Sequence, residues 1–173
     1  PIWERELKGF FMGERATRVA TAQLGALEPY RPGRFPVVFV HGTASSPGRW
    51  AEMVNDLLND KRIRARFQFW FFTYNTGNPI VYSGMLLRKE LEKTIAQIDP
   101  ERRDPALQHM IVIGHSQGGL LTKLAAVETG DLLWNAFSKK PLDQMDLADE
   151  DKALFRQAFF IEPVPSVRRV VFV

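Results

Sequence analysis

Residues 110–119 impose the tightest constraint on how this chain can fold. The apolar run Met110-Ile111-Val112-Ile113 leads without a spare residue into Gly114-His115-Ser116-Gln117-Gly118-Gly119. Leu120, Leu121, Leu124 and Ala125 follow at helical spacing. A strand and a helix joined so closely must reverse direction at the serine. The turn therefore strains the serine backbone and leaves no room for a Cβ at Gly114 or Gly118, which face the neighbouring strand and helix. Gly-x-Ser-x-Gly alone arises by chance in roughly one chain of this length in twenty. Its place between a strand and a helix is what gives it weight.

The rest of the chain repeats the alternation. Phe35–Val40 is a continuous apolar, β-branched run, the pattern of a strand buried on both faces. Ser46-Pro47 reads as a helix start, with the helix running over 47–59. A second strand is expected over 66–73, where Phe67, Phe69, Trp70, Phe71 and Phe72 read as a strand packed on both sides rather than a lipid-binding face. A turn at 75–79 opens a helix to residue 98; a third strand covers 110–114, and a helix 117–128. Residues 130–148 look irregular, 150–159 helical, and 169–173 form a fourth apolar run. Trp3, Leu7, Phe10, Phe11 and Val19 predict a further helix over 2–24. Strands alternating with helices imply crossover connections, hence an α/β fold with a mostly parallel sheet flanked by helices. The 173 residues suit one domain, 1–173, with 130–165 a candidate cap or lid insertion. The apolar Val-Val-Phe-Val ending suggests the front part of a longer fold, incomplete at its C-terminal side.

Composition removes several classes. There is no cysteine, which excludes a disulfide scaffold, thiolate-bound zinc, iron–sulfur clusters and a cysteine nucleophile. The 23 Lys and Arg against 20 Asp and Glu leave +3, and the basic residues fall in short separate groups, so no nucleic-acid partner is expected. No apolar run approaches the 18 residues of a transmembrane segment, and the chain reads as soluble. It starts at Pro1 rather than Met, so a removed export signal stays open and the compartment is unassigned. Neither a metal site nor a cofactor loop is recognisable: no His pair has ligand spacing, and no Gly-x-Gly-x-x-Gly occurs.

The chemistry follows from the turn. It lifts the Ser116 hydroxyl above the sheet edge as a candidate nucleophile, and the helix start aims N–H groups at a developing oxyanion. His41-Gly42, directly after the strand 37–40, opens a loop of small residues at the same edge. The backbone N–H groups of Thr43 and Gln117 are the candidate oxyanion donors. His41 reads as bracing this loop rather than as a catalytic base. Tyr74 and Asn75, after the second strand at the same edge, are candidate pocket walls or a plain turn. Trp134 and Phe137 either line a lid suited to an acyl chain or pack an inserted segment.

Val37-Val38-Phe39-Val40-His41-Gly42-Thr43 together with Val112-Ile113-Gly114-His115-Ser116-Gln117-Gly118-Gly119 resembles the α/β-hydrolase superfamily, in its lipase and esterase branch. The likeness is to GPI inositol-deacylase-like and triacylglycerol-lipase-like serine hydrolases, over roughly residues 35–130. It implies carboxylic ester hydrolysis, of lipids or acylated molecules, through an acyl-enzyme on Ser116, with no cofactor. It also implies an acid and then a histidine after the nucleophile. Here the sequence departs: its only histidines are His41, His109 and His115. The base, and with it the acid, is therefore expected beyond residue 173, although Asp143, Asp146, Asp149 and Glu162 do follow Ser116. Two other readings stand beside hydrolysis: a hydrolase-like scaffold that binds without turnover, and an acyltransferase using the same acyl-serine.

Overall fold

A computed structural model describes residues 22–173. Among the described residues five strands form one sheet: β1 (Gln23–Ala26), β2 (Phe35–Val40), β3 (Phe67–Thr73), β4 (Met110–Gly114) and β5 (Val167–Phe172). Their order is β1-β3-β2-β4-β5. The β1–β3 pair is antiparallel, and all other pairs are parallel. The helices are α1 (Ala51–Asn59), α2 (Lys61–Arg66), α3 (Ile80–Ile98), α4 (Gln117–Leu124), α5 (Leu132–Phe137) and α6 (Asp149–Phe159).

Strand β2 lies at the centre because both its faces are apolar. Val37 and Phe39 join Trp50, Val54 and Phe69 in one core. Val38 and Val40 point the other way, into a core with Trp70, Phe72, Leu87, Leu91 and Leu121. Period-two alternation thus feeds two layers, α1 on one face and α3 with α4 on the other. The chain leaves β2 toward β3 and leaves β4 toward β5, in opposite directions along the sheet. The carboxyl ends of β2 and β4 therefore flank a topological switch point, where open α/β sheets bind ligands.

The structure corrects the sequence reading in several places. The expected helix over 2–24 lies outside the described residues up to residue 21, and its last part is instead strand β1. There Gln23 pairs with Thr73 and Ala26 with Trp70, while Leu24 packs against the main core. Satisfying the open edge of β3 outweighs local helical spacing. Helix α4 stops at Leu124 rather than 128, because the chain beyond it pairs elsewhere: Val164 N–H donates to Ala125 O (2.9 Å) and Thr129 N–H to Ile161 O (3.0 Å). The short helix α2 is unforeseen. It starts where the Asp60 carboxylate accepts the Arg62 N–H, and it buries no side chain. Strand β5 is not covered on both faces among the described residues, since Val171 and Phe172 are exposed.

Residues 130–160 are more ordered than their composition suggests. Trp134, Leu142, Met145, Phe155 and Phe159 form a separate small core against Met85 of α3. Trp134 is 2% exposed and its indole N–H donates to Lys140 O (3.0 Å). It therefore packs the segment against Phe155 and Phe159. Phe137, 42% exposed, sits at the rim of this cluster, its ring 4.9 Å from that of Phe159.

The loop entering β2 is tied down by Asp104. Its carboxylate accepts the Tyr30 hydroxyl and the N–H groups of Gly33 (2.8 Å) and Ala106 (2.9 Å). Burial pushes this carboxyl up, but the Tyr30 hydroxyl and the two N–H donors outweigh it, leaving its pKa below the ordinary carboxylate value. Burial and the same contact push the Tyr30 phenol well up. A depressed carboxyl pKa contributes stability above the unfolded-state value near 4, and the contribution is lost as pH falls through the folded value. Asp104→Asn is thus expected to be less stable than the parent at pH 7, with the gap narrowing below about pH 4. Urea titrations at pH 7 and pH 3.5 check this; a gap of equal size at both would refute it.

Candidate active site

The turn after β4 has the geometry expected from its glycines. Ser116 sits at φ 54°, ψ −123°, ahead of the first residue of α4. That is the first central position of a type II′ turn, which L side chains rarely adopt. The cause is close packing on both sides. A Cβ on Gly118 would lie 2.5 Å from His41 O and closer still to Val40 O. One on Gly114 would run into Gly118 O and Thr122 Oγ1. The turn is also bonded into the sheet, with His115 N–H donating to Val40 O (3.1 Å) and Ser116 N–H to Val173 O (3.4 Å).

Ser116 is exposed at this edge. The Gln117 N–H is the first of α4 and has no acceptor four residues back within the helix. Gly118 and Gly119 N–H donate to His115 O (2.9 Å) and Ser116 O (2.8 Å), which tightens the helix start. Opposite, Gly42 lies against the turn: a Cβ there would stand 3.0 Å from both His115 O and Ser116 Cβ. Glycine at 42 therefore lets the loop after β2 approach the serine, and Thr43 follows it at the surface.

His41 is 1% exposed. Its Nδ1 donates to Gly42 O (3.0 Å), its ring stacks on Tyr74 at 4.6 Å, and its buried Nε2 has no hydrogen-bond partner among the described residues. This is a bracing position beneath the loop. Tyr74 is buried too and lies under the site rather than along its wall. Its hydroxyl donates to His41 O (2.8 Å), and burial pushes its pKa up to about 12. Asn75 accepts the Gly77 N–H (2.9 Å) in its own turn. His115 packs toward Gly42, its buried Nδ1 without a hydrogen-bond partner among the described residues. His109 precedes β4, at the far end of a strand about 16 Å long.

One feature of the site carried no mark in the sequence. The Gln117 carboxamide accepts from Thr43 Oγ1 (3.0 Å) and donates to Thr76 O (3.2 Å). It links loops that lie 74 and 41 residues away along the chain. Among the described residues no three His, Asp or Glu side chains converge as a metal site. No described helix is long and apolar enough to cross a membrane. Clefts of about 360 Å³ beside Ser166 and 380 Å³ between Phe35 and His109 lie at the opposite sheet edge, away from Ser116.

Comparison with known proteins places this arrangement. Residues 31–132, more than half of the chain and spanning both β2 and the serine turn, match the model of the PGAP1-like alpha/beta domain. The chain belongs to that family. GPI inositol-deacylase B of Yarrowia lipolytica is 27% identical over 124 residues, which cover 62% of this chain and 13% of that protein. Among solved structures, the mature form of Bacillus licheniformis lipase BlEst2 is similar at 15% identity and a TM-score of 0.42, over 86% of this chain and 69% of the lipase. Propionate-bound esterase 2 of Thermogutta terrifontis is similar at 18% identity and a TM-score of 0.42, over 64% of this chain and 41% of the esterase. In this PGAP1-like domain the serine turn joins the parallel strand β4 directly to α4, the strand–turn–helix context of a Gly-x-Ser-x-Gly motif.

Proposed function

We propose that this PGAP1-like domain supplies the nucleophile and the oxyanion donors of a serine ester hydrolase. The observation that carries the reading is the strained, exposed Ser116 at the start of α4, facing the glycine-lined loop after β2. Ser116 Oγ attacks the acyl carbonyl, and its proton passes to a histidine base. The carbonyl oxygen becomes an oxyanion held by the N–H groups of Gln117 and Thr43. The tetrahedral intermediate collapses, the alcohol leaves with the base's proton, and water then releases the carboxylic acid from the acyl-serine. Nothing in the positions of His41, His109 or His115 suits the base, so the reading assigns it to a residue outside these 173. The deacylase relative's name points to an acyl ester as the substrate class.

A fluorophosphonate probe tests the reading on the intact polypeptide that carries this sequence. One adduct per chain, mapped to the peptide containing Ser116, is the expected result. A folded protein that takes up no probe at Ser116 would overturn it.

A further inference from the structure

Gln117 does more here than offer a backbone N–H. We propose that its side-chain amide is a positioning group that sets the spacing between the two oxyanion donors; this rests on the reading of Ser116 as nucleophile. Thr43 and Ala44 are exposed, so burial does little to hold the loop that carries the second donor. Gly42 adds no side chain to anchor it, and Ala44 takes a left-handed conformation, φ 50°. Hydrogen bonds hold it instead. Thr43 Oγ1 donates to Gln117 Oε1 (3.0 Å), and the Tyr74 hydroxyl approaches the same oxygen (3.5 Å) while donating to His41 O (2.8 Å). Gln117 Nε2 donates to Thr76 O (3.2 Å), and Thr76 Oγ1 accepts the Ala44 N–H (3.2 Å). These contacts close a ring through the serine turn, the loop after β2 and the loop after β3.

The ring is tied to the residue that provides the first donor. The carboxamide of Gln117 holds Thr43, and the backbone of Gln117 faces the same oxyanion. One residue therefore fixes both sides of the hole. A primary amide suits the task because it accepts on one atom and donates on the other, as Thr43 Oγ1 and Thr76 O require. Leucine matches its size and offers neither. Transition-state donors are sensitive to displacements of about 1 Å, whereas ground-state binding of an acyl chain is much less so.

The test is kcat and KM for p-nitrophenyl butyrate in the intact polypeptide, for Gln117→Leu, Thr43→Val and the double variant, with Ser116→Ala alongside. Gln117→Leu is expected to lower kcat roughly 10- to 100-fold, with KM changed less than about threefold. Thr43→Val keeps its backbone donor and loses only the hydroxyl, so a smaller fall in kcat is expected. The double variant should lose no more than about twofold beyond Gln117→Leu, because both changes cut one bond. Full kcat in a folded Gln117→Leu, or additive losses in the double variant, would sink the inference. If Gln117→Leu does not fold, Thr43→Val decides alone, and an unchanged kcat there overturns it. A rate that survives Ser116→Ala removes the nucleophile reading and this inference with it. A rate that needs Ser116 but ignores Gln117 and Thr43 removes this inference only.

Discussion

Ser116→Ala is expected to abolish ester hydrolysis by the intact polypeptide, by roughly five to six powers of ten in kcat. The nucleophile is lost outright, while the donors of Gln117 and Thr43 remain and stabilise only the slow attack of water. Ser116→Gly should be equally inactive, yet the two variants should differ in stability. The backbone at 116, φ 54° and ψ −123°, is costly for any residue with a Cβ, by about 1–3 kcal/mol. Alanine keeps that cost and glycine removes it, although glycine adds about 0.5–1 kcal/mol of unfolded-state entropy. Ser116→Gly is therefore expected to exceed Ser116→Ala by about 1–2 kcal/mol in urea unfolding. Hydrolysis above about one per cent of the parent rate in either variant would remove Ser116 from the chemistry. Equal stabilities would show that the turn stores no strain there.

The strain at Ser116 was legible in the sequence because its causes are local. Two glycines flank the serine, an apolar run precedes it, and a helix leaves at once, so little but a tight turn can join them. Strand β2 was legible for a related reason. Its unbroken apolar character admits burial on both faces, and the structure gives it a core on each side. Strand β1 was not legible, since Gln23–Ala26 becomes a strand only by meeting β3, some 45 residues on. The same holds for the Gln117 carboxamide, whose partners belong to loops that folding brings together. Tyr74 shows an intermediate case. Its place after β3 put it at the right edge, but its depth under His41 depends on packing. Trp134 illustrates a different gap: an aromatic pair at 134 and 137 fits a lid or a core equally well by composition, and only the partners Phe155 and Phe159 decide for packing.

The same steric logic makes Gly118→Ala strongly damaging at this site. The new Cβ would meet Val40 O and, at 2.5 Å, His41 O. Both are main-chain atoms at the centre of the sheet, so no side chain can rotate to make room. Either β2 shifts away from α4, or the serine turn opens. The first breaks the close approach of Gly42 to Ser116, and the second moves the Gln117 donor; both disable the oxyanion hole. Overpacking a core usually costs 1–3 kcal/mol, and a clash with two main-chain oxygens of β2 and its loop belongs at or above the top of that range, about 3 kcal/mol. Gly119→Ala is the matched control, one residue further along α4. Its Cβ would lie 3.4 Å from the Phe172 ring, an ordinary contact, and alanine is the better helix former by about 1 kcal/mol. Adjacent glycines of one helix turn should thus respond with opposite signs in urea unfolding. If Gly118→Ala and Gly119→Ala shift the midpoint alike, the packing of α4 against the end of β2 is not what holds Ser116 in place.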